Sequence, residues 1–133
     1  RAAQETYRNS PEVEKRVVAL PGSGIPSSLA RKIQRILVGE SKKAPSVSVD
    51  FKWKKLEPNL VFEYSPDDQS LFLNSTYRSS VTGGRNSAAD APAFKALLFY
   101  ALGDLLGADR ISRKMKERAE VLNEILLESI KCQ

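Results

Sequence analysis

The 133-residue chain is of single-domain length, and 41% hydrophobic with 28% charged residues is the balance of a folded globular protein, not a disordered or fibrous one. Its net charge of +5 is uneven: residues 31–55 hold eight Lys or Arg against two acids, a local +6 that leaves −1 for all the rest. It has no histidine and one cysteine, Cys132, which excludes Ser-His-Asp and Cys-His catalysis, histidine metal sites, an internal disulfide and a four-cysteine zinc site.

The chain opens on Arg1 in place of Met, as a piece of a longer protein would, and shows no basic stretch leading into an apolar signal core. Ser10-Pro11-Glu12 predicts a helix start, with Ser as N-cap and Pro in the first helical position. Pro21-Gly22-Ser23-Gly24 then stops that helix. On this reading residues 1–22 are a segment leading from an upstream domain, and residues 23–133 form one α+β domain. Leu29, Ile33, Ile36 and Leu37 make a single apolar stripe, predicting a helix over 27–38 with Arg31, Lys32 and Arg35 off the stripe. Residues 41–45, with Lys42 and Lys43, read as a linker.

The period then changes from 3.6 to 2. Val47, Val49, Phe51 and Trp53 share one face of a predicted strand, and Ser48, Asp50, Lys52 and Lys54 share the other. Leu60–Tyr64 and Ser70–Asn74 read as two further strands, separated by the turn Ser65-Pro66-Asp67-Asp68. Residues 75–91, rich in Ser, Thr and Gly, are expected to form a long loop. Asp90 is a candidate cap for a helix whose stripe is Phe94, Leu97, Leu98, Ala101, Leu102, Leu105 and Leu106, closed by Gly107. Asp109 is a candidate cap for a final helix with Ile111, Met115, Ala119, Leu122, Ile125 or Leu126, and Ile130 inward. Val121, Ile125 and Leu127 give that helix a second apolar side, a candidate interface. The expected architecture is α+β: a small three-stranded antiparallel meander packed against two C-terminal helices, with one or two short N-terminal helices.

No motif supplies a catalytic centre, a cofactor site or a metal site. Val81-Thr82-Gly83-Gly84-Arg85-Asn86-Ser87 invites a phosphate-loop reading, but its spacing matches neither the P-loop nor the dinucleotide fingerprint. Asp67, Asp68 and Glu63 could hold a metal in principle, and read more simply as hairpin-turn residues. Phe51-Lys52-Trp53-Lys54-Lys55 has the composition of a nucleic-acid surface, yet alternation puts its aromatics and its lysines on opposite faces. Arg31, Lys32, Arg35, Lys42, Lys43, Lys52 and Lys54 are the candidate phosphate or nucleic-acid contacts.

The order of pieces over 47–130 resembles the C-terminal region that follows the ATP-binding module in bacterial proteins of the GHKL ATPase class, which groups gyrase, a heat-shock chaperone, histidine kinases and MutL. The residues that carry it are a Trp-bearing strand, Phe62-Glu63-Tyr64, and a strand ending in Leu73-Asn74 with Tyr77 close behind. A Leu- and Ala-rich helix and a final helix follow. The class places a His-Pro-Phe-Tyr-like stretch after that Asn; here Ser75-Thr76-Tyr77 stands there without its His or Pro. The resemblance implies a non-enzymatic C-terminal assembly or coupling domain, with any ATPase activity in an upstream region and no catalytic residue carried over. Expected partners are another protein or a second copy, with nucleic-acid binding as the alternative reading. No run nears the roughly 18 apolar residues of a membrane span. The lone cysteine fits a reducing, cytoplasmic setting.

Overall fold

The computed structural model describes residues 18–39 and 46–132; Lys42, Lys43 and the helix start expected at Ser10 lie outside the described residues. The elements are β1 (Val18–Pro21), α1 (Ser27–Val38), β2 (Ser46–Lys54), β3 (Phe62–Ser65) and β4 (Ser70–Asn74). After a 3₁₀ turn (Ser75–Tyr77) come α2 (Arg78–Thr82), α3 (Pro92–Ala101) and α4 (Arg113–Lys131). The fold is α+β, as expected, but the sheet is four-stranded and mixed, in the order β1-β2-β4-β3.

Three expectations are corrected here. The helix that was to run up to Pro21 is, from Val18, a strand parallel to β2. The meander is absent because β2 pairs in parallel with β4, and β3 lies outside β4 as an antiparallel hairpin partner. The loop expected over 75–91 folds in its first half into the 3₁₀ turn and α2, ended by Gly83 in the left-handed region.

β2 is long enough to serve two partners in succession. Ser46–Val49 pair with β1, and Asp50–Lys54 pair with β4 on the opposite edge. Its alternation reads as the sequence demands: Val49 and Phe51 are buried, Trp53 is half-buried, and Ser48, Lys52 and Lys54 are exposed. The Pro21–Ile25 loop lies flat against this strand. Gly22 N–H donates to the Val49 carbonyl at 2.7 Å, and Phe51 N–H donates to the Ser23 carbonyl at 2.9 Å. Gly24, at φ +102°, is there because a Cβ would come within 2.5 Å of the Phe51 carbonyl oxygen.

Asn74 explains why β4, and not β3, lies beside β2. The ends of β2 and β4 are in register at Lys54 and Asn74, so the chain leaving β2 must cross the end of β4 to reach β3. The buried Asn74 side chain holds that crossing segment. Its amide donates to the carbonyls of Glu57 at 3.0 Å and Leu60 at 2.7 Å, and its oxygen accepts from the N–H groups of Leu56 and Thr76. Every polar atom of a side chain removed from water is thereby satisfied.

The apolar sheet face meets the helices in one core. Val49, Phe51, Phe62, Leu71 and Leu73 pack with Leu98, Phe99, Leu102, Leu105 and Leu106, and the Phe51 and Phe99 rings lie 6.1 Å apart and tilted. α3 ends at Ala101, short of the expected Leu106, and Leu102–Leu106 enter the core from turns. Leu97, expected inward, is 71% exposed. α4 starts on Ser112, not Asp109, with the Ser112 hydroxyl accepting from Met115 N–H at 3.2 Å. Met115, Ala119, Leu122, Leu126 and Ile130 then turn toward the core. Asn123 latches α4 to the crossing segment by accepting from Val61 N–H at 2.7 Å and donating to the Asn59 carbonyl at 2.8 Å.

Asn74→Ala strands several buried backbone groups of the crossing segment at once. The expected loss is about 3 kcal/mol in urea unfolding, against about 1 kcal/mol for the half-exposed Asn123→Ala. Equal losses would remove the crossing segment as the reason for the strand order.

Candidate functional site

The most polar place in the interior is built around Asp90. Its Oδ1 accepts from Trp53 Nε1–H on β2 at 2.9 Å and from Lys95 Nζ on α3 at 3.0 Å. Its Oδ2 accepts from Arg78 of α2 through Nε at 3.0 Å and Nη2 at 2.8 Å, and from Ser87 N–H at 3.1 Å. Lys95 reaches further, donating to the Gly24 carbonyl at 2.7 Å. The charges of Arg78 and Lys95 also lie 5.1 and 5.7 Å from the Trp53 ring centroid.

Asp90 therefore does not cap α3. The residue before that helix is Ala91, in the left-handed region at φ +49°, and the turn it makes swings the Asp90 carboxylate inward. Burial alone would push this carboxyl up. The hydrogen bonds from Trp53, Arg78, Lys95 and Ser87 outweigh it and hold Asp90 well below the usual carboxylate range. Two cations share one carboxylate, and the aromatic face of Trp53 takes part of the excess. Arg78, with about a quarter of its side chain in solvent, keeps some of its hydration.

Lys95 is 1% exposed, and its presence inside is the main thing the helix stripe concealed. A signal existed. Lys95 stands three and four residues before Leu98 and Phe99, on the face those side chains bury, with an acid five positions upstream and a Trp whose N–H needs an acceptor. Lys95 Nζ is buried and donates to Asp90 and Gly24. Chemically the cluster is a charged clasp joining β2, α2, α3 and the Gly24 loop.

The other candidates are dispersed. Asp67 and Asp68 occupy the β3–β4 turn, where Asp68 accepts from Ser65 Oγ at 3.1 Å. Among the described residues no group of three or more acidic or cysteine side chains could hold a metal ion. The Gly83-Gly84 stretch is a surface turn, closed by Gly84 N–H donating to Thr82 Oγ1. Arg31, Lys32 and Arg35 are exposed along α1. Lys52 and Lys54 are exposed on the outer sheet face, where Lys54 Nζ sits 4.6 Å from the ring centroid of Phe72.

Val121 and Ile125 are 54% and 56% exposed, whereas Leu127 is half-buried against the core. Val121 and Ile125 edge a groove of about 210 Å³ between α3 and α4, floored by Leu102, Leu105, Met115 and Leu122. Leu97 and Tyr100 of α3 are exposed as well, the latter at 77%. No family model matches the chain, and no curated protein or solved structure matches it either. No helix among the described residues is long and apolar enough to cross a membrane.

Asp90→Asn leaves Lys95 charged and under-paired in the interior, at an expected cost of about 3–5 kcal/mol. Replacing both, as Asp90→Asn with Lys95→Met, is expected to recover much of that loss; a double-mutant cycle of denaturant midpoints reads the coupling. The folded chain holds this carboxyl more acidic than the unfolded chain does. Its stabilisation is thus complete above the ordinary value of 3.8 and is lost as the pH falls below it. Acid titration of stability should be steeper for the native chain than for the double variant below about pH 4.

Proposed function

We propose that this chain is a non-enzymatic assembly or coupling domain that works through protein–protein contacts. The observation that carries the reading is a set of large apolar side chains left exposed on α3 and α4: Val121 and Ile125 edge the groove between the two helices, and Leu97 and Tyr100 stand out from α3, all more than half exposed. Large apolar side chains grouped in this way on a small domain mark an interaction site more often than a solvated face. The resemblance over residues 47–130 supplies the setting: a larger GHKL-like ATPase, in which this domain stands C-terminal to the ATP-binding module and links it to a partner or a second copy. Asn74, which the resemblance singles out, is here the side chain that orders the sheet, so the shared pattern answers to a structural need.

A second reading has one observation in its favour. Phe72 of β4 joins Lys52 and Lys54 on the outer sheet face, so that face offers an aromatic beside two cations, which β2 alone does not. Glu63 pairs across from Phe72 and Asp50 lies on the same face, which offsets the positive field there. Nucleic-acid binding is therefore the alternative.

Sedimentation velocity of the full chain over a concentration series tests the leading reading. Leu97→Asp and Ile125→Asp should convert an associating species to monomer while leaving the melting temperature unchanged. A native chain that stays monomeric and shifts a DNA or RNA fragment at low salt, with the shift lost in Lys52→Glu/Lys54→Glu, would favour the alternative and overturn the leading reading.

A further inference from the structure

α4 has another flank, which adjoins the Val121–Ile125 groove at Val121. There a wide groove of about 1100 Å³ lies between α4 and the outermost strand. Its floor is apolar, from Leu60, Phe62, Tyr64, Ile111 and Leu127. No residue of β2 or β4 lines it, so it runs along the far edge of β3.

Its walls are acidic. Glu117, Glu120, Glu124 and Glu128 follow one another at helical spacings of three, four and four along α4, and Lys116 is the single lining cation. Among the described residues, no Lys or Arg pairs with Glu63, Glu117, Glu120 or Glu124; Glu128 alone has a partner, Lys131, at 3.5 Å. Like charges at i, i+4 oppose helix formation. The row is thus a local cost in the free domain that a cationic partner would relieve, in a chain whose overall charge is positive.

The edge of β3 offers main-chain groups beside that row. Asn74 N–H donates to the Val61 carbonyl, which sets the parity of the β3–β4 ladder: Glu63 and Ser65 bond to β4, and Phe62 and Tyr64 direct their N–H and C=O the other way. Spacing agrees as well. Alternate residues of a strand are about 6.6 Å apart, and glutamates four apart on a helix are about 6 Å apart.

We propose that the β3–α4 groove receives an extended segment of a partner protein, with Lys or Arg alternating with apolar residues, added to β3 as a fifth strand. The side chains that turn toward α4 are the cations, whose methylene stems cover the floor while their charges meet the glutamate row, and the backbone pairs with Phe62 and Tyr64. The proposal rests on the glutamates and the β3 edge, so it does not depend on the α3–α4 surface, although Val121 borders both grooves.

The test uses the full chain and a fluorescent peptide of about ten residues repeating Lys-Val-Lys-Thr. Three comparison peptides go with it: one with Glu for Lys, one with Pro at alternate positions, and one scrambled to break the alternation. The expected result is binding of the first peptide alone, with slower hydrogen exchange at the Phe62 and Tyr64 amides. Glu117→Gln/Glu120→Gln/Glu124→Gln should weaken binding about tenfold, the sum of three surface pairs. That variant should melt no lower than the native chain, because it removes like-charge repulsion. Equal binding of the Pro-containing or scrambled peptide overturns strand addition, and no binding of the alternating peptide at low salt overturns the site. Leu97→Asp should leave peptide binding unchanged, which separates this outcome from that for the α3–α4 surface.

Discussion

The Asp90 carboxylate is the one group on which four parts of the molecule converge. β2 reaches it through Trp53, α2 through Arg78, α3 through Lys95, and the 83–91 turn through Ser87 N–H. Lys95 passes the connection on to the Gly24 carbonyl, in the loop after β1. β2 and α3 also meet in the core, but α2 and the turn after it add little apolar packing. α2 has no buried residue, and the loop between it and α3 is largely exposed. Without the carboxylate, nothing of comparable strength would decide where α2 and the segment after it lie against the sheet.

Such a cluster specifies more than it stabilises. Taking an ion pair out of water costs several kcal/mol per ion, and the attraction gained in the interior often does no more than offset that. The Trp53 ring and the Gly24 carbonyl improve the balance by giving the second cation places to rest. The gain is directional: hydrogen bonds of 2.7 to 3.1 Å from fixed donors admit one arrangement, whereas an apolar plug would tolerate several. Asn74 plays the neutral counterpart at the same, C-terminal end of β2, where one amide fixes a segment that the core alone would leave free to cross elsewhere.

These two side chains also mark the limit of what was legible in the sequence. The alternation of β2, the hairpin turn at Pro66 and the α4 stripe are periodic, and period survives in a single sequence. Strand order does not, because it depends on how the Leu56–Val61 segment crosses, and that is decided by the long-range bonds of Asn74. The α3 stripe misled for a related reason. Leucines at 97, 98, 102, 105 and 106, with Ala101, suit more than one face, and the face that turned inward is the one on which Lys95 meets Asp90. Leu97 was displaced to the surface by an ion pair that hydrophobic periodicity does not weigh. Val121 and Ile125, picked out as surplus apolar side chains, are exposed; Leu127 is not, because its side of α4 turns toward the core and the acidic groove.

The distribution of charge follows from the same arrangement. With Met115, Leu122 and Leu126 committed to the core, α4 is left with two flanks. One flank looks toward α3, whose outward side was left apolar once Lys95 took the inner place; that flank is apolar as well. The other looks across β3, the edge strand among the described residues, where an uncharged apolar helix would set an edge strand beside a sticky wall, an invitation to indiscriminate pairing. The glutamate row guards that edge against neutral and acidic strands while leaving it accessible to a basic one. Discrimination by repulsion explains why four acids are kept on one flank of a helix in a chain that is basic overall.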